Sequence, residues 1–336
     1  MEDKKQQVAL SVIVPCYNVE QYLNRSLGCL ERQWNGRTDY EIILVNDAST
    51  DGTIHKLNAF KDRHPENVIV IDKKVNQGVG MARNSGLDVA HGKWIAFMDP
   101  DDALVDNAYS SLLCLTEREQ FDILSFGAKV VEDIDWDDGL THVVHQNYEI
   151  DWLGISKDYM LCFDVGTCFR FLFKRLLLNH RFDRMMFLED AVFVLPIFLN
   201  DFSVALTKEE VYYYIVRKSS TTNMLNFERL NKGCDDVVLA LQMLDNMKRD
   251  QNPAIQARIT ERQNFYGYNL FTRLLLSEKN KEQLQQIRRN MDEMSLLPFM
   301  GAGLKTKFYN FLFRHLNLML LFRPIYRLER FMLSRC

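Results

Sequence analysis

The chain has 336 residues, 47% of them hydrophobic and 26% charged, with a formal net charge of −4. That length and apolar content belong to an ordinary globular protein with one large domain and an appendage, or two domains. The slight acidity gives no reason to expect nucleic acid as a partner. Seven cysteines (Cys16, Cys29, Cys114, Cys162, Cys168, Cys234, Cys336) are odd in number, scattered and never spaced C-x-x-C. They argue for a reducing compartment and against a disulfide framework or a zinc site. The N-terminal apolar run is too short for a signal peptide. The longest apolar stretch, Phe308 to Phe322, is broken by Arg314 and His315, so no membrane span is expected and the expected location is cytoplasmic.

Through the first hundred residues a short apolar run, a polar turn and a helical segment recur. "VALSVIVPCYN" reads as a strand ending at Pro15, whose missing N–H forbids further ladder pairing. "VEQYLNRSLGCLERQ" reads as an amphipathic helix, and "YEIILVNDASTDGT" as a second strand with Thr50 or Asp51 capping the next helix. "ENVIVIDKKVNQGVG" supplies a third strand, Met81 to Ala90 a third helix, and "HGKWIAFMD" the fourth strand. Near-continuous apolar strands alternating with helices predict an α/β fold, a parallel sheet covered on both faces. Ligands of such sheets sit beyond the carboxyl ends of the strands. Cys16-Tyr17-Asn18, Asn46-Asp47, Asn76-Gln77 and Asp99 to Asp102 all fall at that edge.

Beyond Asp102 the pattern loosens. "FDILSFGAKVV" reads as a strand, "VEDIDWDDGL" as a hydrated acidic loop, and "THVVHQNYEI" as a hairpin or edge strand. His142 and His145 lack the spacing and partners of a metal site. "SVALTKEEVYYYIVR" reads as two short strands around a turn at Lys208 to Glu210. From Asn226 onward the spacing is helical throughout, which places a boundary between 1–225 and a helical region, 226–336.

"FMDPDD" concentrates three carboxylates at a strand end, where they repel unless a cation or hydrogen-bond donors compensate. Asp oxygens suit Mg2+ or Mn2+, which bind one or two carboxylates together with substrate phosphates. The competing reading is an acidic turn capping a helix that starts near Ala103. "GVGMARNSGL" also imitates a dinucleotide fingerprint, with Gly78, Gly80 and an acid about twenty residues on, but Arg83 stands where the third glycine is needed.

These segments resemble the family 2 glycosyltransferases, inverting enzymes of the GT-A fold. "SVIVPCYNVEQYL" is similar to the family's first strand and P-x-Y-N turn, and "EIILVNDASTDGT" to its V-D-D-G-S-T-D-G-T, with Asn46 and Ala48 as departures. "NQGVGMARNSGLDVAHGKWIAFMDPDD" resembles N-x-G-x-x-x-A-R-N-x-G followed by F-L-D-S-D-D. "FLEDAVF" looks like the family's E-D motif, and "YYYIVRKSSTT" its Tyr-rich strand before an Arg and Ser/Thr turn. The likeness covers roughly the first two-thirds of the chain, in the family's order.

The resemblance implies a nucleotide diphosphosugar donor, most often a UDP-sugar. Pro15, Tyr17, Asn18 and Asp47 would face the base and ribose; Asn76, Gly78 and Arg83 the ribose and diphosphate; Arg217 with Ser219 would close over the diphosphate. Asp101 would be the principal ligand of a divalent Mn2+ or Mg2+, with Asp99 on the ribose or the metal's water shell and Asp102 supporting. Asp190 would be the general base, with Glu189 as its competitor; taken alone, the pair is equally an acidic helix N-terminus. The implied acceptor is a saccharide or lipid-linked saccharide in cell-surface polysaccharide synthesis. A Q-x-x-R-W string of processive synthases is absent. The rival functions are a nucleotidyltransferase acting on sugar phosphates, which would want a Gly-rich loop after the first strand, and a non-catalytic saccharide-binding module. The tail, "KTKFYNFLFRHLNLMLLFRPIYRLERFMLSRC", is basic and amphipathic, predicting either peripheral contact with the inner face of the cytoplasmic membrane or packing, onto the domain or in a homodimer.

Overall fold

The computed structural model describes residues 8–34, 36–133, 148–217, 227–300 and 303–333, of which 329–333 by backbone alone. Two compact units divide it, 1–184 with 193–222 and 185–192 with 223–336.

In the first unit β1 (Leu10–Cys16), β2 (Tyr40–Asn46) and β4 (Trp94–Phe97) are buried along their whole length. Strands so apolar cannot present a wet face, and α1 (Leu23–Glu31), α2 (Thr53–Arg63) and α3 (Val79–Val89) alternate with them. With β3 (Val68–Asp72) they form a parallel set in the order β3-β2-β1-β4. The order reverses between β1 and β4, and beyond the carboxyl ends of strands at such a reversal a ligand crevice forms.

Pro15 lies inside β1 rather than at its end, paired with Val45. Its nitrogen points the same way as that of Ile13, toward β4, whose pairing with β1 stops at Ile13–Phe97, so no ladder donor is missed.

After β4 the sheet becomes mixed. The two-residue β5 (Ala103–Leu104) precedes α4 (Ala108–Arg118), so the carboxylate cluster does not cap a helix starting at Ala103. β6 (Ile123–Glu132), β7 (Trp152–Ile155) with α5 (Ser156–Cys162), and β8 (Phe171–Lys174) follow. β8 joins β4 to β6 by antiparallel pairing, and β9 (Ser203–Val216) runs parallel to β6 and antiparallel to β5 and β7. The expected turn at Lys208 to Glu210 is therefore absent: β9 is one strand of 14 residues. The polar residues sit in a bulge, where the register shifts around Gly127. The expectation for 141–147 and most of the acidic loop lies outside the described residues.

The second unit is helical: α7 (Phe227–Lys248), α8 (Pro253–Leu276), α9 (Lys281–Glu293), α10 (Leu304–Arg314) and α11 (Leu316–Leu333). Asn252 caps α8 ahead of Pro253, and Asn280 with Gln283 forms a capping box on α9. Phe271, Phe299, Tyr309 and Phe313 pack ring to ring at its centre. α6 (Glu189–Phe198) has its first turn in this unit and the rest in the other.

At the bulge a Cβ on Gly127 would stand 2.7 Å from the Glu209 carbonyl oxygen and 2.8 Å from that of Lys208. Backbone cannot swing aside as a side chain does, so Gly127→Ala is expected to destabilise the protein by about 1–3 kcal/mol in urea unfolding.

Candidate functional site

Past Phe97 the chain makes one more bond to β1, Met98 N–H to Ile13 O at 3.1 Å, and then turns, with Asp102 N–H on Asp99 O at 3.2 Å. The turn drives Asp102 into the interior, where it is 1% exposed. There the Tyr212 hydroxyl donates to its Oδ2 at 2.7 Å and the Ile215 N–H to its Oδ1 at 2.9 Å. Asp99 N–H in turn donates to the Tyr212 oxygen at 3.1 Å. Burial first, and the neighbouring Asp99 charge second, push the Asp102 carboxyl well above the usual carboxylate range. Burial likewise keeps Tyr212 protonated, and Phe169 stacks on its ring at 4.6 Å. Asp102 thus faces the fold, while Asp99 and Asp101 remain partly accessible.

Those two carboxylates each meet an arginine. Arg83, 2% exposed on α3, reaches Asp99 Oδ1 at 2.9 Å, its guanidinium 5.4 Å from the Phe182 ring. Arg217, just past β9, pairs with Asp101 and lies 4.0 Å over the Tyr22 ring. Arg25 on α1 donates to the Asp101 carbonyl at 2.8 Å. Repulsion among the three acids is therefore answered by two ion pairs and by withdrawing the third into a hydrogen-bonded pocket. Asp99 and Asp101 offer hard oxygens of the kind Mg2+ and Mn2+ take. Among the described residues no group of three His, Cys, Asp or Glu is arranged to enclose an ion. A cation at this corner would draw its remaining ligands from phosphate or water, which suits a two-carboxylate site.

Asp47 is 2% exposed and fully engaged. It accepts from Gln77 N–H at 3.0 Å and Gly78 N–H at 2.8 Å, and pairs with Lys73 at 2.5 Å. Gly78, at φ 98°, starts α3 in a conformation that favours glycine. Two amides of the turn that leads into this glycine-rich helix start, those of Gln77 and Gly78, are thus taken by an internal carboxylate. Asn18, in the left-handed region at φ 51°, ties the β1 turn to the next loop by accepting from Thr50 N–H at 2.8 Å. Tyr17 is half-exposed at the end of β1, Pro15 is buried in it, and Asn76 is exposed. Asn46, which replaces the family's carboxylate, donates to Asp72 at 2.8 Å, and this bond first, then Lys74, lowers the Asp72 pKa. An acid is therefore present beside that position, from the neighbouring strand.

Pro15, Tyr17, Asn18, Asp47, Gly78, Arg83, Asp99, Asp101, Asp102 and Arg217 all belong to the sheet unit. Glu189 and Asp190, both partly buried, open α6 in the segment 185–192 of the helical unit. Ser219 lies outside the described residues. Sequence reasoning missed Tyr22, Arg25, Asp72, Lys73 and Tyr212. Only "IDKK", charged where a strand reaches the ligand edge, carried a signal.

Tyr212→Phe keeps the ring but removes the hydroxyl between Asp99 and Asp102, leaving a buried carboxyl oxygen and an N–H without that partner. A loss of about 1–3 kcal/mol in urea unfolding is expected, and the wild-type midpoint would contradict the bridge.

The family profile described as glycosyl transferase family 2 matches residues 11–180, just over half of the chain. The minor teichoic acid biosynthesis protein GgaB of Bacillus subtilis is 31% identical over 229 residues, 67% of this chain and 25% of that protein. The poly(ribitol-phosphate) beta-glucosyltransferase of Bacillus spizizenii is 28% identical over 248 residues, 70% of this chain and 37% of the relative. The aligned part is thus about a quarter to over a third of these relatives' length. The crystal structure of S. aureus TarS 1-349 in complex with UDP-GlcNAc superposes with a TM-score of 0.62 at 18% identity, covering 97% of this chain and 90% of that one. This likeness gives the fold, GT-A with C-terminal helices. With its family profile, strand order and acidic corner in agreement, the chain belongs to glycosyl transferase family 2.

Proposed function

We propose that the protein is an inverting glycosyltransferase that moves a sugar from a nucleotide diphosphosugar, a UDP-sugar, to a saccharide or polyol-phosphate chain, free or lipid-linked, in cell-surface polymer synthesis. The observation that carries this is the accessible Asp99–Asp101 pair at the carboxyl edge of the sheet, with Arg83 and Arg217 on either side. The teichoic acid function of GgaB and the acceptor named in the Bacillus spizizenii relative support the polymer class.

In this reading Tyr17 offers its half-exposed ring to the base, and Pro15 and Asn18 shape the same wall. Asp47 acts by holding the Gln77–Gly78 turn, and Asn76 faces the ribose. Asp101 is the principal ligand of a divalent cation, Mn2+ or Mg2+, with Asp99 beside it and Asp102 supporting from behind. When bound, the cation supplies Lewis-acid stabilisation of the leaving diphosphate. Arg217 exchanges its Asp101 partner for a phosphate oxygen and, with Ser219, closes over the diphosphate; Arg83 holds Asp99 in place. Asp190 takes the proton from the acceptor hydroxyl as that oxygen attacks the anomeric carbon. One in-line displacement inverts the centre, with no covalent enzyme intermediate. The proposed setting is the cytoplasm.

Thermal unfolding against a panel of nucleotide sugars, with and without Mn2+, tests the donor. A UDP-sugar at about 100 times its Kd should add about 2.7 kcal/mol of stability, more with Mn2+ than without. No shift with any nucleotide would refute the reading. Asp190→Asn should lower transfer by about 100- to 10,000-fold while UDP binding stays unchanged; normal turnover would remove Asp190 from the chemistry and turn attention to Glu189→Gln.

A further inference from the structure

We infer that the outer face of α10 and α11 is a docking surface for an anionic lipid bilayer, along which the helices lie without crossing it. On α11 the side chains of Leu318, Leu321, Ile325 and Leu328 follow one another at intervals of three, four and three residues, which places them on one side of a helix. All are exposed, Leu321 at 73% and Ile325 at 64%, whereas Leu316, Met319 and Tyr326 on the opposite side are buried. α10 repeats the arrangement, with Leu304, Phe308 and Phe311 outward and Tyr309, Leu312 and Phe313 inward. Phe308 meets Phe322 edge-on at 5.3 Å, which brings the two helices together. Seven large apolar side chains in one series are more than scattered surface hydrophobics.

Charge identifies the occupant. From Leu304 to Leu328 the sequence contains Lys305, Lys307, Arg314, Arg323 and Arg327 and no Asp or Glu. Arg323 and Arg327 turn inward, donating to the carbonyls of Lys279 and Ser277. Lys305, Lys307 and Arg314 are exposed along the apolar series. A second copy pairing through this face would set Lys305, Lys307 and Arg314 against their like, with Glu329 near the end of α11 the single acid in the two helices. Anionic headgroups would satisfy them while the leucines and phenylalanines enter the acyl boundary. No described helix is long and apolar enough to cross a membrane, so the contact is a surface one.

Co-sedimentation of the full chain with phosphatidylcholine vesicles, with and without phosphatidylglycerol, tests the inference. Binding is expected only with the anionic lipid and should weaken as salt is raised. Leu321→Glu with Ile325→Glu should cut the bound fraction at least tenfold at an unchanged thermal midpoint. Lys305→Glu with Lys307→Glu should do the same through charge. Absence of binding to the anionic vesicles, or binding that both pairs leave intact, would overturn it. So would light scattering that shows a dimer dissolved by the leucine and isoleucine changes. UDP-sugar binding measured without vesicles is independent of these variants, so failure here and failure of the sugar-transfer reading are separate results.

Discussion

A single buried carboxylate holds the acidic corner in place. Asp102 accepts from the Tyr212 hydroxyl and the Ile215 N–H, so the turn after β4 is fastened to β9 at two points. Asp99 enters the same arrangement through its N–H on the Tyr212 oxygen. β9 ends at Val216, one residue before Arg217, so the position of that guanidinium beside Asp101 follows from where Asp102 anchors the strand. An ion pair so largely withdrawn from solvent is by itself weak evidence of stability, because desolvation offsets its attraction. Its geometry is fixed by the hydrogen bonds beneath it, each of which would be expensive to leave unmade in the interior.

A second buried carboxylate, Asp47, bears on the dinucleotide reading of the glycine-rich segment. A dinucleotide enzyme draws its pyrophosphate to the backbone amides of a glycine-rich turn at a helix start. Here the amides before α3 are spent on Asp47, whose charge is balanced by Lys73.

The parallel half of the sheet was legible because its strands are apolar throughout and are separated by helices of clear period. Asp99, Asp101 and Asp102 stood out as a cluster, yet nothing in their order told which would turn inward; burial of Asp102 depends on a tyrosine 110 residues away. Tyr212 read as one of three similar rings, and only the register of β9 separates them. β9 itself looked like two strands because Lys208 to Glu210 are polar, and a bulge opposite Gly127 leaves no local mark beyond the glycine. β7 and β8, four residues each, were too short to show a period. The grouping of the segment 185–192, with Asp190, among the helices follows from long-range contacts that no local pattern encodes.

Arg83 and Arg217 leave the corner nearly neutral: two accessible acids face two cations, and the raised pKa of Asp102 keeps the third acid from adding a full charge. Arg25, on the Asp101 carbonyl, is matched in the same way by Asp133. A dication alone or a diphosphate alone would upset that balance of charge. The species it admits at least electrostatic cost is the two together, their charges already cancelled.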